Sequence, residues 1–169
     1  MSFSYEIEGR IWTFGDDVDT DQILPGYAMA EPVDKLKNFA LAGSKYPDFA
    51  KEVQAGDIII AGNNFGAGSS REQAAVALKE AGTGVIIAKS FARIFRRNAI
   101  NIGLPVVEDD ILEKFVTVEK AKVDLDDFKI VNLDTQETFE LNPINENVME
   151  TLKSGGLIEK VRKQLVDKI

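Results

Sequence analysis

Apolar residues along this chain come in short runs cut by glycine, and the period of the runs changes along its length. Phe3, Tyr5 and Ile7 alternate with polar residues, and Ile11-Trp12-Thr13-Phe14 follows Gly9, which predicts an N-terminal hairpin or bent strand. An acidic loop runs from Gly15 to Asp21, and Pro25-Gly26 then breaks the chain. Within residues 27–56, short helical pieces around Val33–Leu41 and Asp48–Val53 are separated by Gly43 and Pro47. Weak patterning over 25–56 predicts a lid-like loop.

Asp57–Ala61 is an apolar, β-branched run that reads as a buried strand. Gly62–Gly68 is glycine-rich, and Arg71–Ala81 reads as a helix with Ala74, Ala75, Leu78 and Ala81 on one face. Strand, helix and strand follow over Gly84–Ala88, Phe91–Asn101 and Leu104–Val107. This alternation implies an α/β domain with a parallel sheet and crossover helices. After Ile111 the texture changes. Phe115–Glu119, Lys122–Leu125, Phe128–Leu133 and Thr138–Leu141 read as short strands of a small antiparallel unit. Pro143 opens a helix ending at Gly155-Gly156, and a last helix carries Ile158, Val161, Leu165 and Ile169. The chain is thus read as one domain over 1–169, with 1–110 bearing the motifs and 111–169 the short strands and final helices.

Composition narrows the chemistry. The 169 residues are 44% hydrophobic, enough for a core, and the net charge of −8 argues against nucleic acid or an anionic membrane as partner. Neither Cys nor His occurs, which excludes disulfides, thiol nucleophiles, histidine bases and the usual ligands of zinc and iron–sulfur centres. No metal site is expected, and any transition-metal chemistry requires a cofactor held by another chain. The polar, acidic stretch Met1–Gly9 is no signal peptide, and runs such as Ile58–Ala61 are too short to span a bilayer, so a cytoplasmic protein is expected.

The segment from Gly62 to Glu72 places Gly66, Gly68, Ser69, Ser70 and Arg71 between a strand and a helix. Gly66 and Gly68 permit a tight turn with close ligand approach, free amides favour negative charge, and Arg71 offers a fork for a carboxylate. A Walker A loop would end in Gly-Lys-Ser/Thr, and a dinucleotide fingerprint would need Gly where Arg71 stands, so both phosphate readings fail. A lipase-type elbow is absent too. Ser69-Ser70-Arg71-Glu72 equally reads as a capping box with Ser69 as N-cap, and the two readings are compatible. In the acidic loop, an EF-hand would need Gly and Glu where Gln22 and Ala28 stand. The acids fit a solvated turn, with Asp21, which runs into Ile23-Leu24, the one best placed to be partly buried.

Taken together, three motifs are specific. Gly15–Pro25, Asn63, Phe65 and Gly66 with Gly68–Glu72, and Ala88–Phe95 with Asn98 and Asn101–Pro105 resemble, in order and spacing, the small subunits of isopropylmalate dehydratase and homoaconitase. The resemblance implies the swivelling β/β/α domain of aconitase, its fourth domain, as a separate polypeptide. It implies a large-subunit partner, as heterodimer or heterotetramer, that carries a [4Fe-4S] cluster. By motif position it implies Ser69 as general base, Asp21 supporting the turn or proton traffic with Thr20 beside it, and Arg71 and Ser70 at a substrate carboxylate. The activity implied is a hydro-lyase acting on a small dicarboxylate. Many family members have Cys where Ala67 stands and His where Gln73 stands, so the subgroup is not assumed.

In that family the loop after the first motif reads the variable substrate group. Here Tyr27, Ala28 and Met29 face that task, with no basic residue before Lys35, which favours an alkyl group over a third carboxylate. Isopropylmalate, and with it leucine biosynthesis, is therefore expected, with dimethylmalate or citramalate next and homoaconitate after them. Arg93, Arg96 and Arg97 share one helix, which reads as a solvated or interface face rather than a nucleic-acid site, and some of these arginines are expected to meet the large subunit. The competing class is a non-catalytic anion-binding module.

Overall fold

The computed structural model describes residues 5–167. Strands β1 (Glu6–Thr13), β2 (Ile58–Ala61), β3 (Val85–Ala88), β4 (Val106–Glu108), β5 (Lys120–Asp124), β6 (Lys129–Asn132) and β7 (Thr138–Glu140) form a single sheet in the order β4-β3-β2-β1-β5-β6-β7. β1 to β4 pair in parallel, and β1, β5, β6 and β7 pair antiparallel. The antiparallel strands are therefore a continuation of the parallel sheet rather than an appendage. Helices are α1 (Thr20–Ile23), α2 (Phe49–Glu52), α3 (Glu72–Ala81), α4 (Arg93–Asn101), α5 (Glu146–Lys153) and α6 (Leu157–Asp167). Short 3-10 turns cover Gly26–Ala30, Val33–Phe39 and Leu112–Lys114.

β2 and β3 are buried at every position because the sheet is covered on both faces. Period-two alternation divides their side chains. Ile59, Ala61, Ile86 and Ala88 point to a core shared with α3, α4 and residues 23–49, together with Trp12 and Phe14. Ile58, Ile60, Val85 and Ile87 point to a second core with Val123, Ile130 and Met149, which shows the sheet curling over its own far strands. The segment 25–56 packs Ala28, Leu36, Ala40, Leu41 and Phe49 into the first core.

No N-terminal hairpin forms within the described residues, and Phe3 lies outside them. β1 is one continuous strand whose first half, Glu6–Arg10, pairs with β5 while Ile11–Thr13 pairs with β2. Gly9 sits at this handover, where a Cβ would lie 2.2 Å from the Gly56 carbonyl oxygen, so the apparent turn residue is a close-approach residue. The predicted strand Phe115–Glu119 is a turn, since Val118 adopts a φ of 73° and interrupts the extended run. The helix after Pro143 begins at Glu146, capped by the Asn145 side chain, which accepts from the Asn147 amide at 2.8 Å. On α6, Ile158, Val161 and Leu165 are exposed, and Ile169 lies outside the described residues. Among the described residues no helix is long and apolar enough to cross a membrane.

One buried carboxylate ties β1 to β2. Asp57, 1% exposed, accepts from the Arg10 amide at 2.9 Å, Trp12 Nε1 at 2.9 Å, the Gln54 amide at 2.9 Å and Arg10 Nη2 at 3.1 Å. The Arg10 guanidinium also donates to the Glu52 carbonyl. Removing the carboxylate strands all these donors. Asp57→Ala is therefore expected to cost about 3–5 kcal/mol, read as a lower urea midpoint at unchanged slope.

Candidate active site

β1, β2 and β3 run parallel, so the loops leaving their carboxyl ends emerge on one edge of the sheet, where open α/β sheets bind ligands. Those loops carry the three sequence motifs, and main-chain hydrogen bonds join them. The Gly66 amide donates to Val18 O at 2.7 Å and the Thr20 amide to Ala67 O at 2.8 Å. On the other side the Phe65 amide donates to Ser90 O at 3.0 Å and the Ala92 amide to Phe65 O at 2.9 Å. Side chains reinforce the seam. Asp16 Oδ1 accepts from the Asn63 amide at 2.6 Å, Asp17 Oδ1 from Asn64 Nδ2 at 3.1 Å, and Ser90 Oγ from the Asn64 amide at 2.8 Å. Asp19 caps α1 by accepting from the Gln22 amide at 2.9 Å. Asp16, Asp17 and Asp19 thus shape the turn.

Two glycines set the path of the middle loop. Gly66 has φ 86°, and a Cβ there would lie 2.2 Å from Cγ of Phe95, so glycine lets the loop press against the first turn of α4. Gly68 has φ 105°, and its missing Cβ would come within 3.1 Å of Thr20 Oγ1. The loop then presents Ser69 and Ser70, both exposed. Ser69 Oγ lies 3.2 Å from the hydroxyl of Thr20, which is buried. Among the described residues the amides of Gly68, Ser69 and Ser70 have no protein acceptor, which leaves them free to bind an anion at the cleft these residues line.

The capping-box expectation is corrected. Arg71 occupies the N-cap position of α3 with no side-chain cap, and the Ser69 carbonyl accepts from the Arg71 amide at 2.8 Å. Ser69 lies too far ahead of the helix to cap it, which leaves its hydroxyl at the cleft. Arg71 turns back toward the first loop, where Nη1 donates to Asp21 Oδ1 at 2.7 Å and to Leu24 O at 3.1 Å. The expected partial burial of Asp21 is also corrected. Its side chain is 71% exposed, because α1 turns Thr20 and Ile23 inward and Asp21 outward.

A cavity of about 170 Å³ is lined by Thr20, Gly66, Gly68, Ser69, Ser70 and Arg71 from the first two loops. Its other wall is the start of α4, with Arg93, Phe95 and Asn98. The predicted residues Tyr27, Ala28 and Met29 lie outside this lining. Ala28 is wholly buried, Met29 packs on the core, and Tyr27 is exposed, edge-on to Phe39 with ring centroids 5.9 Å apart. Their loop begins beside Arg71, whose Nη2 lies 4.0 Å from where a Gly26 Cβ would sit. Sequence reasoning placed Arg93 only within a helix face of which some arginines meet a partner, and gave Asn98 no role. The available signal was topological, since the loop after β3 must share an edge with the loops after β1 and β2. Among the described residues no group of acids is arranged to hold a metal ion.

Comparison with known proteins gives a consistent set of relatives. Residues 22–109 match the family described as aconitase C-terminal domain. The chain is 45% identical over 165 residues to the 3-isopropylmalate dehydratase small subunit of Aquifex aeolicus, covering 96% of this chain and 98% of that protein. It is 47% identical over 160 residues to the methanogen homoaconitase small subunit of Methanothermobacter thermautotrophicus, covering 94% and 92%. The crystal structure of a 3-isopropylmalate dehydratase from Methanocaldococcus jannaschii superposes with a TM-score of 0.91 at 40% identity, covering 96% of this chain and 97% of that one.

The contact between Gly66 and Phe95 makes a direct prediction. Gly66→Ala must relieve both the positive φ and the collision with the ring, so it is expected to destabilise the fold by more than about 1 kcal/mol, read as a lowered thermal midpoint.

Proposed function

This chain belongs to the family of aconitase C-terminal domains, and from that premise we propose that it is the small subunit of a hydro-lyase interconverting 2- and 3-isopropylmalate, a step of leucine biosynthesis. The observation that carries the reading is the placement of Ser69, a hydroxyl at an amide-lined bend beside a held guanidinium and a buried threonine hydroxyl. Ser69 takes the proton from the carbon next to the hydroxyl-bearing one. The unpartnered amides of Gly68 to Ser70 and the Thr20 hydroxyl stabilise the oxyanion this requires. Arg71 binds a substrate carboxylate alongside Ser70, and Asp21 orients the guanidinium.

The cavity is about 170 Å³, below the roughly 300–1,000 Å³ usual for ligand sites, so a second surface completes it. In this proposal that surface is the large subunit, in a heterodimer or heterotetramer. With neither Cys nor His, this chain cannot ligate an iron–sulfur cluster in the usual way, so a [4Fe-4S] cluster is assigned to the large subunit. Bound there, the cluster supplies the Lewis acid for the departing hydroxyl. The loop from Gly26 to Lys35 begins beside Arg71 and meets the variable group of the substrate through the exposed Tyr27, with Ala28 and Met29 packed behind it. No basic residue stands between Arg10 and Lys35, so this loop offers a third carboxylate no partner. Similarity to relatives named for different substrates is nearly equal, and the loop chemistry therefore carries the preference for an alkyl malate.

Reconstitution with the large subunit tests both parts. Ser69→Ala is expected to lower kcat about 10²–10⁴-fold with KM near wild type and assembly intact, and full activity would overturn the assignment of the base. Across a substrate panel kcat/KM should fall from isopropylmalate through dimethylmalate and citramalate to homoaconitate. Faster turnover of homoaconitate than isopropylmalate would refute the substrate while leaving the family untouched.

A further inference from the structure

We infer that Arg93 is a second anion-binding residue of this cleft and takes the substrate carboxylate that Arg71 does not hold, an inference that rests on the proposed hydro-lyase reading. Two arginines are among the residues that line the cavity, Arg71 from the glycine-rich turn and Arg93 from the start of α4. Their circumstances differ. Arg71 is engaged by Asp21 at 2.7 Å and by the Leu24 carbonyl, whereas among the described residues Arg93 is exposed and makes no ion pair or side-chain hydrogen bond. The uncommitted cation among the lining residues is therefore Arg93, supplied by α4 rather than by the Arg71 turn.

Position is fixed by the same contacts that build the site. Phe65 pairs with Phe91 as a β-bridge, and the Ala92 amide donates to Phe65 O at 2.9 Å. The absent Cβ of Gly66 lets the Phe95 ring lie against the turn. These contacts join the backbone of the glycine-rich turn to the start of α4, so Arg93 and Ser69 both come to line one cavity. Ala92 provides no side-chain cap, and the amides of Arg93 and Ile94 have no protein acceptor among the described residues, which adds positive potential to the same wall.

The charge balance matches the substrate class. A 2-hydroxy diacid carries two carboxylates, and burying either without a partner is costly. Arg71 serves one. Among the residues lining the cavity, Arg93 is the other cation, with Asn98 beside it as a neutral donor. Docking of Arg93 against an acidic patch of the large subunit is the competing role, and it makes a different kinetic signature.

The test compares wild type, Arg93→Gln and Arg93→Lys in the reconstituted complex, with isopropylmalate and its two monoamides as substrates at saturating large subunit. The expected result for Arg93→Gln is a KM for the diacid raised about ten- to a hundredfold with kcat changed far less, and partial recovery in Arg93→Lys. One monoamide, neutral at the carboxyl that faces Arg93, should lose nothing further in the variant, while the other should lose as much as the diacid. An unchanged KM in Arg93→Gln would overturn the inference, and so would an equal loss on all three substrates or a defect seen only at subsaturating large subunit. A wild-type complex that turned over no 2-hydroxy diacid would instead overturn the proposed function itself, and this inference with it.

Discussion

Two main-chain hydrogen bonds, Gly66 to Val18 and Thr20 to Ala67, hold the glycine-rich turn against the acidic loop, and the chemistry of the cleft depends on that seam. Without it Ser69 would sit on an isolated bend with no Thr20 hydroxyl beside it. Arg71 would likewise lack Asp21 and the Leu24 carbonyl as anchors. The seam exists because β1 and β2 are parallel neighbours, so the loops that follow them leave the sheet side by side. Gly66 and Gly68 then let the second loop approach without side chains in the gap.

That dependence explains the distribution of charge. Asp16, Asp17 and Asp19 accept hydrogen bonds from the turns they shape, which leaves Asp21 as the loop acid that reaches Arg71. A guanidinium so oriented loses less freedom when a carboxylate arrives. The positive field of the cleft comes from backbone amides and arginine within a chain of net charge −8, so it is local. Such local fields, fixed in advance, are what electrostatic stabilisation of an oxyanion requires.

Much of this was legible from residues alone, for identifiable reasons. β2 and β3 are continuous apolar runs buried on both faces, and α3 shows its Ala74, Ala75 and Leu78 stripe plainly. What failed depended on long-range contact. Gly9 reads as a turn but marks a strand crossing close to Gly56, and a strand that exchanges partners midway has no local signature. The joining of β5 to β1, which makes one sheet of two textures, is equally non-local. Within the site, Ser69 and Arg71 were found by motif, whereas the solvent-facing side of Asp21 follows from the turn of α1, and the Arg93 wall follows from the parallel order of three strands.

The account predicts a spatial relation that a structure of the assembled complex with a bound alkyl malate reads directly. Ser69 Oγ should lie about 3–3.5 Å from the carbon that loses its hydrogen, with the Arg71 fork on a neighbouring carboxylate. A complex in which the Ser69 hydroxyl faces away from the ligand, or is walled off from it by the large subunit, would contradict the account.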